Sequence, residues 1–355
     1  MSEGQALSKA SADLSRMMRE FHIRPIEEIA ERFPRKSLIE KGIVIAHRDF
    51  DKILDLYEKG ERFAIVSGRG PSGPIHLGHL FLFNIVRELQ EIFNAETFIP
   101  LSDDEKLVFN KIEDLSDGYY WAKDNAKYIM ALGFDPKITH IYVSSQQGWV
   151  YRYALMISKK LTISTVKNAL GVEDSSNIGI LFYAAVQIAH ILQPTLDYGL
   201  RVVVPIGLDQ DVFMRLTRDV ADKLGVPKPA SLYVRFIPGI TNEPMSSSKP
   251  ETSIFVSDAG RDLLSKIFKA VTGGQGTIEE QRRFGANPKL CNIYQWLKMM
   301  IFEGNFQISL HENRCERGEI LCGFDCKMIV FRYLEAYLKT IREKAREINI
   351  ERILE

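Results

Sequence analysis

The segment from Gly68 to His79 constrains this chain most, because it is a glycine- and proline-rich loop between a predicted strand and a predicted helix. Residues 63–67 form a short apolar run typical of a buried strand, and residues 77–93 follow as a helical run. In open parallel sheets ligands bind outside the carboxyl ends of the strands. A helix N-terminus at that edge offers free N–H groups to phosphate. The loop therefore predicts a phosphate-binding site.

The rest of the chain alternates strands with helices, and this pattern predicts an α/β fold with a doubly wound parallel sheet. The predicted strands lie at 63–67, 97–101, 139–143, 201–206 and 232–236. The first part of the chain is predicted to be helical, with runs at 8–21, 25–33 and 47–57, and no strand is predicted after 257. We therefore expect a helical N-terminal region (1–58), a catalytic domain (59–257) and a helical C-terminal domain (258–355).

Taken alone, the loop leaves several interpretations open. Gly68-x-Gly70-x-x-Gly73 matches a dinucleotide-binding pattern, although Pro71 and Pro74 fall where its helix should begin. His76 and His79 share a helix face, as two metal ligands would, but no carboxylate or cysteine stands beside them. The residues also suit a plain glycine-rich turn. A nucleotide site uses more of them, because Gly78 would let a flat base approach and both histidines would donate to phosphate.

A second segment, Pro244-Met-Ser-Ser-Ser-Lys249, follows the last predicted strand. By itself it is a polar, serine-rich loop. Its one cation, Lys249, is placed to neutralise phosphate charge if the loop lies near the first segment. The backbone N–H groups of Ser246 to Ser248 would share that task.

Composition restricts the remaining possibilities. Lys plus Arg and Asp plus Glu both count 46, so net charge gives no argument for nucleic-acid binding. The apolar runs are shorter than a membrane span requires, and the N-terminus lacks an apolar signal core. These features predict a cytoplasmic protein without a membrane association. All four cysteines (Cys291, Cys315, Cys322 and Cys326) fall in one stretch. They predict either a bound Zn²⁺ or [4Fe–4S] cluster, or four unrelated buried thiols.

The string Pro71-Ser-Gly-Pro-Ile-His76-Leu-Gly-His79 resembles the His-x-Gly-His motif of class I aminoacyl-tRNA synthetases. The 244–249 segment is similar to their Lys-Met-Ser-Lys-Ser loop. Further strings at 42–51, 67–71, 103–106, 207–219 and 272–282 resemble the archaeal and eukaryotic type of tryptophanyl-tRNA synthetase. The resemblance covers roughly residues 20–345 and implies ATP-dependent activation of tryptophan, with Mg²⁺, followed by transfer to tRNA(Trp).

The resemblance also implies roles for individual residues. The phosphate contacts would come from His76, His79, Ser246, Ser248 and Lys249. The other ATP-binding residues would be Gly68, Gly70, Pro71, Ser72, Gly73, Gly78, Lys106, Asp209, Met245 and Ser247. The amino acid would be held by Val66, Glu105, Gln187 and Gln210, with Glu105 accepting from its ammonium group. The four cysteines would hold an iron–sulfur cluster, the C-terminal domain would read the anticodon, and the enzyme would be a homodimer.

Three positions depart from that family. Pro244 replaces the first lysine of the mobile loop, and Val66 and Pro100 stand where related enzymes carry a tyrosine and a glutamine that contact the indole. A site that lacks a polar contact discriminates less well than one that has it. The alternatives are therefore a tyrosyl or otherwise re-specified synthetase, or a paralogue that binds nucleotide or tRNA without charging it.

Overall fold

The computed structural model describes residues 20–354, so almost all of the helix predicted at 8–21 lies outside the described residues. A seven-stranded sheet with the order β1-β2-β7-β6-β3-β4-β5 forms the centre of the protein. The strands are β1 (Arg24–Pro25), β2 (Val44–Arg48), β3 (Phe63–Val66), β4 (Glu96–Leu101), β5 (Thr139–Val143), β6 (Arg201–Ile206) and β7 (Ala230–Val234).

Strands β3 to β7 form the predicted parallel sheet, and their pairings (β3 with β4 and β6, β4 with β5, β6 with β7) are all parallel. This confirms the α/β class. From β3 the chain continues through β4 and β5 on one side of the sheet and then forms β6 and β7 on the other side of β3. The strand order therefore reverses between β3 and β6. That switch point is where an open sheet of this kind leaves a crevice at its carboxyl edge.

Helices cover the sheet and extend beyond it. Those in the first two thirds of the described chain are α1 (Lys36–Glu40), α2 (Phe50–Glu58), α3 (Leu77–Phe93), α4 (Asp103–Val108), α5 (Leu115–Met130), α6 (Gly148–Ser158), α7 (Ile163–Leu170), α8 (Ile178–Tyr198) and α9 (Asp211–Leu224). A buried apolar cluster on one side of the sheet joins residues such as Ile65, Leu80 and Ile99. A second cluster packs α6 against α8.

The prediction of a wholly helical N-terminal region is wrong, because residues 44–48 form strand β2. This strand pairs antiparallel with β7 and extends the sheet on that side. The apolar run Ile43 to Ala46 suits a buried position between β1 and β7, and Asp49 with φ of 57° turns the chain into α2. Arg48 ends the strand with a buried ion pair to Asp211, 2.6 Å from Nη1 to Oδ1.

The C-terminal part is helical, as predicted, and residues 258–354 contain no β-strand. Its helices are α10 (Gly260–Lys269), α11 (Ile278–Phe284), α12 (Asn292–Trp296), α13 (Asn305–Glu316) and α14 (Asp325–Glu347). Trp296 and Leu334 of this part belong to the same buried cluster as Ile237 and Ile254 of the preceding segment. The division into domains at 58 and 257 stays a prediction, because one continuous core crosses both positions.

Helix α8 is long and apolar enough to cross a membrane by length and composition. Most of it is buried inside the protein, and it packs against α6 and β6. It also carries polar side chains, including His190 and Gln193, that are buried with hydrogen-bond partners. We therefore interpret α8 as a core helix of this fold.

Candidate active site

A cavity of about 340 Å³ opens at the carboxyl edge of the sheet, around the switch point between β3 and β6. Eight of the residues predicted from the sequence line it: Val66, Gly68, Gly70, His79, Glu105, Lys106, Gln187 and Gln210. They come from β3 and its loop, α3, α4, α8 and the turn after β6. The fold thus brings together residues that are far apart in the sequence, at the edge where ligands bind in parallel sheets.

The two histidines lie side by side at the start of α3, and their ring centroids are 3.5 Å apart. His76 is buried, and its Nδ1 has no hydrogen-bond partner. Burial, and then the charge of Arg69, lower the pKa of His76 to about 3 and hold the pKa of His79 well below its usual value. Both rings are therefore neutral at physiological pH.

Arg69 fixes the orientation of His79. Its Nη1 lies 2.8 Å from His79 Nδ1, and because a guanidinium only donates, that ring nitrogen accepts. The hydrogen of the neutral ring then sits on Nε2, where it is free to donate to a ligand. Arg69 Nη2 also donates to the carbonyl oxygens of Gly73 and Pro74, at 3.2 Å and 3.4 Å. Arg69 is buried and lines the cavity, and the sequence analysis did not assign it a role.

Two glycines of the first segment lie close to neighbouring side chains, which would have to shift to admit a Cβ atom. A Cβ on Gly70 would lie 2.0 Å from Lys106 Cε and 2.2 Å from Glu105 Oε2. A Cβ on Gly78 would lie 3.2 Å from the ring of His76. The loop therefore carries glycine where α4 folds its charged side chains over it, and where His76 turns back over the helix start.

The serine-rich segment lies against the first loop, which supports its predicted role. Ser247 Oγ donates to the carbonyl oxygen of Pro74 at 3.0 Å and lies 3.5 Å from Arg69 Nη2. Ser246 and Ser248 contact each other through their hydroxyl groups at 3.0 Å. The backbone after the segment joins the same structure, because Leu77 N donates to the carbonyl oxygen of Ile254 at 2.7 Å.

Lys249 is oriented differently from the prediction. Its ammonium is paired with Glu243 of the same loop, and the side chain is exposed to solvent. It is not part of the cavity lining, and Pro244 nearby is exposed. In this conformation the buried cation beside the histidines is Arg69.

The amino-acid end of the cavity combines charged and apolar groups. Glu105 Oε1 accepts from Lys106 Nζ at 3.1 Å, so the pair of opposite charges faces the cavity over Gly70. Gln187 lies opposite on α8. Val66 and Pro100 also line the cavity, and they add apolar surface where the resemblance implied polar contacts.

Helix α4 begins with two aspartates, Asp103 and Asp104, to which the sequence analysis assigned no role, and both are buried. Asp103 accepts from the backbone N–H and hydroxyl of Ser145, at 3.0 Å and 2.5 Å. Asp104 accepts from Ser144 Oγ at 2.6 Å. Burial raises the pKa of both carboxyl groups, and these hydrogen bonds oppose the rise. They hold α4 in place and leave Glu105 to face the cavity.

Asp209 and Gln210 follow β6 in a short 3₁₀ turn, and Gln210 Nε2 donates to Asp209 Oδ2 at 2.7 Å. Both side chains are exposed at the cavity mouth, where a ribose would be accessible. The remaining predicted residues surround the cavity without lining it: Pro71, Ser72, Gly73, His76, Gly78, Met245, Ser246, Ser247, Ser248 and Lys249.

The four cysteines are free and buried in the C-terminal part. Hydrogen bonding from Cys315 lowers the pKa of Cys322 to about 7, and burial raises that of Cys291. Within residues 20–354, no group of three or more His, Cys, Asp or Glu side chains is arranged to hold a metal ion. The structure therefore supports neither a mononuclear zinc site here nor a metal site at His76 and His79. A [4Fe–4S] cluster, whose ligands stand farther apart, stays a prediction.

Comparison with known proteins agrees with this geometry. A model of class I tRNA synthetases (W and Y) matches residues 58–335. The tryptophan–tRNA ligase of Pyrococcus furiosus is 37% identical over 345 residues, covering 94% of this chain and 88% of the relative. The crystal structure of tryptophanyl-tRNA synthetase from Aeropyrum pernix K1 has a TM-score of 0.90 at 32% identity and covers 97% of this chain and 96% of its own. That from Encephalitozoon cuniculi, bound to tryptophan, has a TM-score of 0.84 at 28% identity, with 96% of each chain covered.

Proposed function

The chain belongs to the class I tRNA synthetases (W and Y), and on that premise we propose that it activates tryptophan with ATP and transfers it to tRNA(Trp). The observation that carries the proposal is the single cavity in which the neutral His79 donor faces Glu105 and Gln187. It offers a phosphate-binding end and an end suited to an amino-acid ammonium group. The similarity to tryptophan–tRNA ligases over nearly the whole chain gives the substrate.

In the first step the tryptophan carboxylate attacks the α-phosphorus of MgATP in line, and the bond to pyrophosphate breaks. The enzyme contributes positioning and charge stabilisation, because no covalent enzyme intermediate is formed. His79 Nε2–H donates to the phosphate oxygens, and Lys106 stands beside the cavity to counter their charge. Ser246, Ser248 and the backbone of their loop add donors, and Lys249 joins them once it leaves Glu243.

Glu105 and Gln187 hold the ammonium group, which keeps the carboxylate aimed at the phosphate. In the second step the terminal ribose hydroxyl of the tRNA attacks the carbonyl carbon of the adenylate, and AMP leaves. Asp209, at the mouth of the cavity, binds the ribose of ATP, and Gln210 binds the amino-acid carboxylate.

The test is amino-acid-dependent ATP–pyrophosphate exchange with each of the twenty amino acids, and His79→Ala serves as the inactive control. We expect exchange with tryptophan alone. Exchange with a different amino acid would replace the substrate and keep the reaction, as the apolar Val66 and Pro100 allow. Absence of exchange with all twenty would indicate a non-charging paralogue, and Pro244→Lys would then be the first variant to examine.

We propose further that the protein is a cytoplasmic homodimer. Leu155, Ile163 and Ile178, in helices α6 to α8, are exposed at 61%, 69% and 82%, and a second copy of the chain would cover such apolar side chains. Sedimentation of the purified protein, compared with a Leu155→Glu, Ile163→Glu variant, tests this. A mass of one chain for the unaltered protein at micromolar concentration would refute it.

We also propose that the C-terminal part reads the anticodon and that Cys291, Cys315, Cys322 and Cys326 are the ligands of a [4Fe–4S] cluster. Their burial within one part of the structure supports this assignment. Such a cluster would tie α12, α13 and the start of α14 together. Iron and sulfide analysis of protein purified without oxygen tests the cluster, and absence of both would leave four structural thiols.

A further inference from the structure

Four buried polar side chains beside the cavity are joined by hydrogen bonds and have no role in the mechanism above. Tyr142 Oη lies 3.1 Å from His190 Nδ1, and His190 Nε2 lies 3.0 Å from Ser144 Oγ. Ser144 Oγ in turn donates to Asp104 Oδ2 at 2.6 Å. All four residues are less than a tenth exposed, and His190 also lines the cavity.

The direction of each hydrogen bond follows from the carboxylate end. Asp104 accepts, so the single hydroxyl hydrogen of Ser144 is used there, and Ser144 Oγ must accept from His190 Nε2–H. His190 Nδ1 therefore accepts from the hydroxyl group of Tyr142. Every donor among these four side chains is paired, and the ring of His190 is neutral with a defined tautomer.

These hydrogen bonds join α4 and α8, the two helices that carry the proposed ammonium ligands. Asp104 precedes Glu105 in α4 and accepts from its backbone N–H at 2.9 Å. His190 lies one helical turn after Gln187 in α8. Both ends meet at Ser144, in the turn after β5, so this serine links α4 and α8 on the cavity side, while Asn177 Nδ2 at the start of α8 donates to the carbonyl oxygen of Val108 at the far end of α4.

We propose that His190 is a positioning residue, which holds Gln187 and Glu105 at the separation that an amino-acid ammonium group requires. This inference rests on the proposed activation of tryptophan. Its physical basis is that ligands on separate elements bind well only when supporting hydrogen bonds fix their geometry in advance. Both ring nitrogens of His190 are already used within the protein, so the ring supports the ligands and has no nitrogen left to hydrogen-bond the substrate.

The experiment measures the affinity of each variant for two ligands by calorimetry or competition. The ligands are tryptophan and indole-3-propionate, which lacks the ammonium group. His190→Phe keeps the ring size and removes both hydrogen bonds. We expect it to weaken tryptophan binding about tenfold or more, the cost of disturbing hydrogen bonds to a charged group. Binding of indole-3-propionate should change less than about twofold, since it does not use Glu105.

Further variants separate positioning from folding. Ser144→Ala removes the hydroxyl group that links His190 to Asp104 and should show the same selective loss of tryptophan affinity. His190→Gln keeps a donor and an acceptor and should recover part of that affinity. Gln193→Leu is the matched control, because Gln193 is buried in the same helix and bonds Asp197 away from the cavity. It should leave both affinities unchanged.

An equal loss for both ligands would overturn the proposal and assign His190 to the indole. Unchanged affinities in His190→Phe and Ser144→Ala would also overturn it. Failure of the unaltered protein to bind tryptophan would refute the proposed function itself, which is a separate result.

Discussion

Replacing Arg69 by methionine should nearly abolish adenylate formation while leaving tryptophan binding close to normal. Methionine fills similar volume but donates nothing, so His79 Nδ1 loses its partner at 2.8 Å. Without that donor the ring can place its hydrogen on either nitrogen, and the Nε2–H needed at the phosphate is no longer assured. Tryptophan binding should persist because the hydrogen bonds of Arg69 go to His79, Gly73, Pro74 and Ser247, and not to Glu105 or Gln187.

The magnitude follows from the contacts that are lost. Removing one well-placed donor to a transition-state oxygen costs roughly 100-fold in rate, or about 3 kcal/mol. We therefore expect the exchange rate at saturation to fall about 100-fold. The carbonyl oxygens of Gly73 and Pro74 each lose one donor but keep a second, from Asn125 Nδ2 at 3.2 Å and Ser247 Oγ at 3.0 Å, so we expect the loss of stability to stay near about 1 kcal/mol.

Pyrophosphate exchange at saturating substrates measures the rate, and calorimetric titration measures the tryptophan affinity. Thermal unfolding confirms that the variant is folded at the assay temperature. Arg69→Lys is the charge-matched comparison and should be intermediate, because one ammonium cannot reproduce the fork that reaches His79 and Gly73 together. An Arg69→Met enzyme with at least a third of the normal rate would refute the argument, as would a rate loss fully explained by weaker tryptophan binding.

Three further outcomes follow from the same structure. His79→Ala should leave the tryptophan affinity within about twofold of normal and slow adenylate formation by about 100-fold or more in stopped-flow measurements. Gly70→Ala should weaken the binding of both tryptophan and ATP, because the added Cβ would occupy the positions of the Glu105 and Lys106 side chains. Normal KM values for both substrates in the exchange assay would contradict this. Stability should fall as the pH decreases from about 6.5 toward 4, because burial lowers the pKa of His47 to about 4 and only the unfolded chain binds the proton in that interval. Urea unfolding at pH 7.5 and pH 5 checks this, and His47→Phe should lose less stability between them, by at most about 1.4 kcal/mol per pH unit.

The strand pattern was sufficient to predict the parallel sheet, and the glycine-rich loop together with the family resemblance predicted eight of the residues that line the cavity. Strands β3 to β7 were found within one or two residues, because each is a short apolar run between turn or helix signals. Strand β2 was missed because its few apolar residues lead directly into a helix. Its pairing with β1 and with β7, which is far away in the sequence, makes an extended conformation favourable there.

The site was predicted less completely, for the same reason. Motif letters identified His79 and Glu105, but burial decides what a neighbouring charge does. The sequence analysis assigned no role to Asp103, Asp104 or Arg69, yet all three are buried: the two aspartates accept hydrogen bonds that hold α4, and Arg69 is the donor that orients His79. Lys249 was expected at the phosphate, and a partner in its own loop, Glu243, holds it outward.

The antiparallel joint between β2 and β7 has a consequence for any shortened version of this protein. A chain cut near residue 60 would leave the hydrogen-bonding edge of β7 uncovered, and open edges of that kind recruit strands from other molecules. It would also remove the guanidinium of Arg48 from the carboxylate of Asp211, which would keep only Arg215 and Tyr233 as partners. Proteolysis at this position would thus yield an aggregating fragment in place of a smaller working enzyme.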